Sequence, residues 1–344
     1  QPINEPKYVT NLRDAIGGKM MDYLNDTQTV WGMEDTPEKI KVLERIITGA
    51  DAHNDVESGI EARDMLIETC LTVGFPKKQL QAFSWLISKW EDEDNDVYID
   101  SEDLLWKYKW ISEHVPTFDE VSKAQIDELL NDMKVKFEQE NYSLRPYYKV
   151  CTLAAMRMGD VEKAKELYNK WSTTKADYLN DCPACERNDQ VNYYCFVQDY
   201  EKAKEKAKPI IDGKQRCAEV PHLTYGNMAL AYLDLDDAKM AQECFDKGYP
   251  LVEKQISLIP PLGQLLRYLV STNQTEKARE VLDTNLEIVL QAEAGLDRLI
   301  FLQAAYPLFD REKEADLVEM TEALTAKFDA RNENNYYQNR LEAY

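Results

Sequence analysis

Apolar positions along this chain recur at helical spacing, as in Tyr225, Met228, Ala229 and Tyr232, which fall on one face of a 3.6-residue helix. A polar or glycine-containing turn follows. A second segment then opens with acidic residues, which suit the positive end of a helix dipole. The pattern returns. Gly159-Asp160-Val161-Glu162-Lys163-Ala164-Lys165-Glu166 is matched by Gln198-Asp199-Tyr200-Glu201-Lys202-Ala203-Lys204-Glu205, then by Asp236-Asp237-Ala238-Lys239-Met240-Ala241 and Asn273-Gln274-Thr275-Glu276-Lys277-Ala278. A weaker copy ends on Ala315.

The alanines at 164, 203, 241, 278 and 315 are spaced by 39, 38, 37 and 37 residues. Stepping backwards from Ala164 lands on Ala124, Ala82 and Ile40, at intervals of 40, 42 and 42. The ladder predicts tandem helical hairpins, each with a small residue where two helices meet. Pro37, Pro76, Pro116, Pro146, Pro183, Pro221 and the Pro260-Pro261 pair mark the junctions. Proline at a helix start loses no hydrogen bond, whereas inside a helix it costs about 3 kcal/mol.

These residues resemble the tetratricopeptide repeat family. The best copy supplies Tyr225, Ala229, Tyr232, Ala241, Phe245 and Gly248, with Asn227 where the family often has asparagine; a second supplies Tyr148, Thr152, Ala155, Gly159, Ala164 and Tyr168. The likeness covers about residues 142–292. Steps of 37 to 42 residues exceed the family's usual unit of about 34, so helices or connections must be longer here. The resemblance implies an all-α, right-handed α-solenoid of about seven to eight helix-turn-helix repeats. Residues 1–50 would be N-terminal capping helices, 51–140 divergent hairpins, 141–330 the clearest repeats and 331–344 a capping helix or tail. It further implies a non-enzymatic scaffold binding a protein or peptide along its first helices. Several bacterial receptors for signalling peptides share the architecture, so a receptor that changes superhelix pitch on binding is an alternative. A cysteine-based metal-binding or redox-sensing protein is another.

Charge narrows the partners. Sixty-three acidic against 41 basic residues give a formal net charge of −22 over 344 residues, which repels phosphate backbones and anionic headgroups. Nucleic acid and membrane are therefore not expected, and a basic protein or peptide is. Residues 1–7 show no apolar core behind a basic flank and predict no signal peptide. Seven cysteines in a chain too large to need stapling suggest reduced thiols and a cytoplasmic setting.

The sharpest chemical motif is Asp181-Cys182-Pro183-Ala184-Cys185, followed by Cys217 and, five residues on, His222. Measured from the ladder alanines, both clusters fall in the same kind of inter-repeat connection, so Cys182, Cys185, Cys217 and His222 could complete a tetrahedral zinc site. Glu219 could replace His222. Half-buried structural thiols, or a redox pair at Cys182 and Cys185, are the alternatives. Cys70, Cys151, Cys195 and Cys244 sit at helix-packing offsets, and His53 and His114 read as solvated.

The resemblance also places a groove. Lys149 and Asn188 share one first-helix offset, Asn192 and Arg267 another, and Asn227 adds a nearby amide; Tyr148 could join them, as could Tyr147, Tyr193 and Tyr194. Such amides and cations hold a peptide backbone or carboxylate, although the same residues also suit plain solvent contact or inter-helix packing. Gly17-Gly18-Lys19 lacks the flanking residues of a phosphate loop. The acidic run from Glu91 to Asp96 lacks the order of a calcium loop and reads as a solvated connection.

Overall fold

The computed structural model describes residues 22–343. The glycine pair near position 17, the segment read for a signal peptide and the first part of the expected 1–50 capping region lie outside the described residues. The protein is all-α: no strand occurs among the described residues, where a single isolated bridge joins Cys217 and Val220. No helix of the described residues is long and apolar enough to cross a membrane.

The chain divides into two compact units, residues 1–107 and 108–344. The first holds helical residues 22–30 (α1), α2 (Pro37–Ala52), α3 (Val56–Val73), α4 (Pro76–Glu91) and the start of α5 (Ser101–His114). The second holds the end of α5, α6 (Lys123–Gln139), α7 (Arg145–Arg157), α8 (Val161–Thr173), α9 (Pro183–Phe196) and α10 (Tyr200–Ile211). It continues through α11 (Tyr225–Asp234), α12 (Ala238–Val252), α13 (Ile259–Ser271), α14 (Thr275–Gln291), α15 (Gly295–Ala305), α16 (Ala315–Asn332) and α17 (Tyr336–Glu342).

In the second unit consecutive helices pair as hairpins, and each first helix also packs on the next: α7 on α9, α9 on α11, α11 on α13, α13 on α15. That is the stacking of an α-solenoid. Helix starts follow the prolines, with one in the first two positions of α2, α4, α7, α9 and α13. Close first-helix contact needs glycine twice. A Cβ on Gly226 would lie 2.9 Å from the Pro261 carbonyl oxygen, and one on Gly263 would lie 3.2 Å from the backbone of Phe301.

One turn makes the hairpins. Helices α7/α8, α9/α10, α11/α12 and α13/α14 are each joined by three residues. The middle one is left-handed: Gly159, Gln198, Asp236 and Asn273 have φ of 71°, 62°, 59° and 57°. The next backbone N–H reaches back five residues, from Asp160, Asp199, Asp237 and Gln274 to the carbonyls of Ala155, Tyr194, Tyr232 and Leu269, each at 2.9 Å. This closes the end of the first helix. The three aspartates then cap the second helix, accepting from the N–H groups of Lys163, Lys202 and Met240, a cap worth about 1 kcal/mol. Four residues after each cap position stands the ladder residue, and Ala164, Ala203, Ala241 and Ala278 are all wholly buried.

Elsewhere the ladder needs correction. The same turn recurs in the first unit as His53-Asn54-Asp55, with Asn54 at φ 52°, the Asp55 N–H on Ala50 and the Asp55 carboxylate capping Ser58. Its small residue is therefore Gly59, buried against Trp85 and Arg63, rather than Ile40 or Ala82, which lie inside α2 and α4. Ala124 and Ala315 are exposed. They follow a different connection, Pro116-Thr117-Phe118-Asp119 and Pro307-Leu308-Phe309-Asp310, in which a 3-10 turn (Val115–Thr117 or Tyr306–Leu308) buries the phenylalanine and the alanine merely opens the next helix.

The surplus over a 34-residue unit lies between hairpins. Residues 174–182 and 212–224 link α8 to α9 and α10 to α11, and these connections carry the cysteine motif.

Candidate functional site

Cys182 is the N-cap of α9, and its Sγ accepts from the Cys185 N–H at 3.4 Å. Cys185 is therefore on the first turn of the same helix. Cys217 arrives from the 212–224 connection, tightened by reciprocal Cys217–Val220 backbone bonds of 3.1 and 3.3 Å. A small apolar cluster of Ala184, Ile210 and Val220, with Cys185 against it, holds the two connections side by side. The three Sγ atoms consequently lie within 4.8 Å of one another. His222, the fourth expected ligand, is not in that group; its Nδ1 is buried with no hydrogen-bond partner. Burial would raise the Cys182 thiol, but hydrogen bonds from Cys185, Cys217 and the Ala184 N–H bring it below the usual range. Burial and the neighbouring thiols push Cys185 strongly up. Burial likewise raises Glu219.

Directly behind the motif lies a charge knot that sequence reasoning missed. The Lys149 ammonium is buried and pairs with Asp181, with Glu113 at 2.6 Å and with Asp189 at 3.0 Å. Lys109, also buried, pairs with Asp181 at 2.7 Å and donates to the Leu179 carbonyl. Burial disfavours the Lys149 charge, yet the three carboxylates outweigh it and hold the ammonium well above the usual lysine range. Asp181, against its burial, is drawn down to about 2 by Lys149 and Lys109. Asp189 is pushed up to about 6, burial exceeding the pull of Lys149. Lys149 is thus occupied by its own chain. Its carboxylates come from α5, the α8–α9 connection and α9, positions with no local pattern among 63 acidic residues.

The expected groove amides form a row instead of facing solvent singly. Asn192 accepts from the Asn227 amide at 3.4 Å, and Asn227 accepts from Gln264 at 3.1 Å, linking α9, α11 and α13. Asn188 is buried and accepts from the Thr224 hydroxyl at 2.7 Å. Tyr148 is half-buried, beside Tyr147 and with the Lys170 ammonium over its ring. Tyr193 stacks on Tyr168 at 3.8 Å, and the Tyr168 hydroxyl donates to that of Tyr194. Arg267 is half-buried; burial and then Arg340 push its guanidinium down to about 9.

Arg340 belongs to α17, which packs on α16 and meets the C-terminal ends of α7 and α9 and the turn after α7. The Tyr337 hydroxyl donates to the Arg157 carbonyl at 2.5 Å, the Asn334 amide donates to Met158, and the Tyr336 ring sits over Gly159 and 5.8 Å from Phe196. Gln303 of α15 donates to the Tyr337 carbonyl at 2.9 Å. Tyr337 and Leu341 are buried. Asp329 fixes the helix start, accepting from the Tyr337 and Gln338 N–H groups. Within the 331–344 segment the chain forms α17 over Tyr336–Glu342.

The histidines differ from expectation. His114 is half-buried near Arg157, and desolvation followed by that guanidinium lowers its imidazole to about 4. His53 bonds the Gly49 carbonyl through Nδ1 and rests near the Tyr23 ring. Cys70, Cys151 and Cys244 are buried packing residues, as their offsets predict. No family model and no curated protein matches this chain.

Proposed function

We propose that the chain is a non-enzymatic, tetratricopeptide-like scaffold whose first-helix face takes an aromatic-bearing helical segment of a protein partner. The observation that carries this reading is α17. A short helix bearing Tyr336, Tyr337, Arg340 and Leu341 meets the C-terminal ends of α7 and α9 through its tyrosine hydroxyl and ring, and α15 through a main-chain carbonyl that accepts from Gln303. This is helix-in-groove recognition, with aromatic anchors supplying the buried area. The tetratricopeptide reading is supported by four identical turns with a buried alanine at a fixed offset. An acidic surface would speed association with a basic partner, the more so at low salt.

The test uses the chain's own segment as probe. A fluorescent peptide of residues 332–343 is titrated into the full chain carrying Tyr336→Ala and Tyr337→Ala, which loosen the resident helix. Saturable binding to this variant and much weaker binding to the wild type support the proposal. Adding Gln303→Ala should weaken binding by about tenfold through loss of one buried hydrogen bond. A loosened variant with intact helical circular dichroism and no peptide binding would contradict it.

A further inference from the structure

We propose that Cys182, Cys185 and Cys217 form a binding site for one thiophilic divalent cation of the zinc type, with three sulfur ligands and the fourth position open to solvent or an exogenous donor. The site is separate from the peptide-binding face and stands or falls independently of it.

Four observations converge. First, tetrahedral Zn–S bonds of about 2.3 Å place sulfurs about 3.8 Å apart. Three Sγ atoms already within 4.8 Å therefore need only small side-chain rotations. Second, the frame is assembled by the protein alone: the N-cap bond at Cys182, the Cys217–Val220 backbone pair and the Ala184, Ile210, Val220 cluster fix both connections. Third, Cys182 and Cys217 are exposed, so a cation has an entry path and its thiol protons can leave to solvent. Fourth, the sulfurs are the only such ligand atoms in their group among the described residues, which leaves one tetrahedral vertex for an outside donor.

The neighbouring carboxylates Glu113, Asp181 and Asp189 also cluster, but the Lys149 ammonium already contacts all three and repels a cation there. Soft sulfur donors select zinc over calcium or magnesium. A bound cation would tie the N-terminus of α9 to the connection leading into α11, clamping two successive hairpins.

The test starts from the reduced, chelator-stripped full chain. Anaerobic cobalt(II) should produce a sulfur-to-metal charge-transfer band that saturates at one equivalent and is bleached by one equivalent of zinc. Cys182→Ser, Cys185→Ser and Cys217→Ser should each weaken binding by more than about tenfold, while His222→Ala keeps the band. Alkylation of the wild type, read by mass spectrometry, avoids dependence on folding of the variants: zinc should protect residues 182, 185 and 217 and leave the labelling of Cys195 unchanged. No band, no selective protection, or a Cys182–Cys185 disulfide in the freshly purified chain would overturn the proposal. A folded His222→Ala protein that loses the band would overturn the open fourth position.

Discussion

Lys149 shows how a side chain with an apparently plain role can carry the local structure. Its ammonium pairs with Glu113, Asp181 and Asp189 together. Removing it leaves the half-buried Glu113 and Asp189 without this counter-charge, while Asp181 keeps Lys109, a change that costs about 3–5 kcal/mol. Lys149→Met should lower the urea-unfolding free energy by that order, and a loss under 1 kcal/mol would refute the knot's importance. His114 gives a pH signature. Its folded value of about 4 lies below the ordinary value of about 6.5, so the unfolded chain binds more protons between the two. Its contribution is complete above pH 6.5 and is lost as pH falls towards 4. Asp297, which burial pushes up to about 6, runs the other way, losing stability as pH rises through that range. The comparison of wild type with His114→Asn isolates the histidine: wild type should lose stability relative to the variant on going from pH 7 to pH 4.5 in paired denaturant titrations. Parallel curves would contradict this. At this scale the cysteines were legible, because a C-x-x-C pair and a repeat offset are local signals. The partners of Lys149 were not, because they meet only through the fold.

Among the elements, the three-residue turn with its left-handed centre sets the hairpin. The alanine ladder found it wherever an alanine stands four residues after the N-cap residue. It lost phase in the first unit because Gly59 replaces alanine and α4 happens to carry Ala82 at a matching step. It also absorbed a second connection, the Pro-x-Phe-Asp turn at 116–119 and 307–310, since that turn too is followed by an alanine. Packing separates the two classes. Ala241→Leu must force a branched side chain into a fully buried helix contact and should cost about 1–3 kcal/mol. Ala315→Leu, on an exposed first turn, should change stability by less than about 0.5 kcal/mol. Thermal and urea unfolding of the two variants checks this directly, and equal effects would mean the ladder alanines have no common structural role.

For the whole molecule, composition and period anticipated an all-helical chain, and the fold agrees. What neither could reveal is that the chain's own C-terminal segment reaches the ends of α7 and α9, because Asn334, Tyr336 and Tyr337 contact residues about 140 to 180 positions away in sequence. Such contacts leave no periodic trace. On the proposed function, a partner segment would compete with this helix, and its apparent affinity would fall by the fraction of time the face is free. Mutations that loosen α17 should therefore tighten partner binding while lowering stability.

The measurement that bears most directly on this account is amide hydrogen exchange of the intact wild-type chain, followed by mass spectrometry across residues 336–342. A helix held by Arg157, Phe196 and Gln303 should exchange slowly, and the added Tyr336→Ala and Tyr337→Ala changes should release it. Exchange at the rate of a free peptide in the wild type would contradict the account, because nothing would then be seated on the first-helix face.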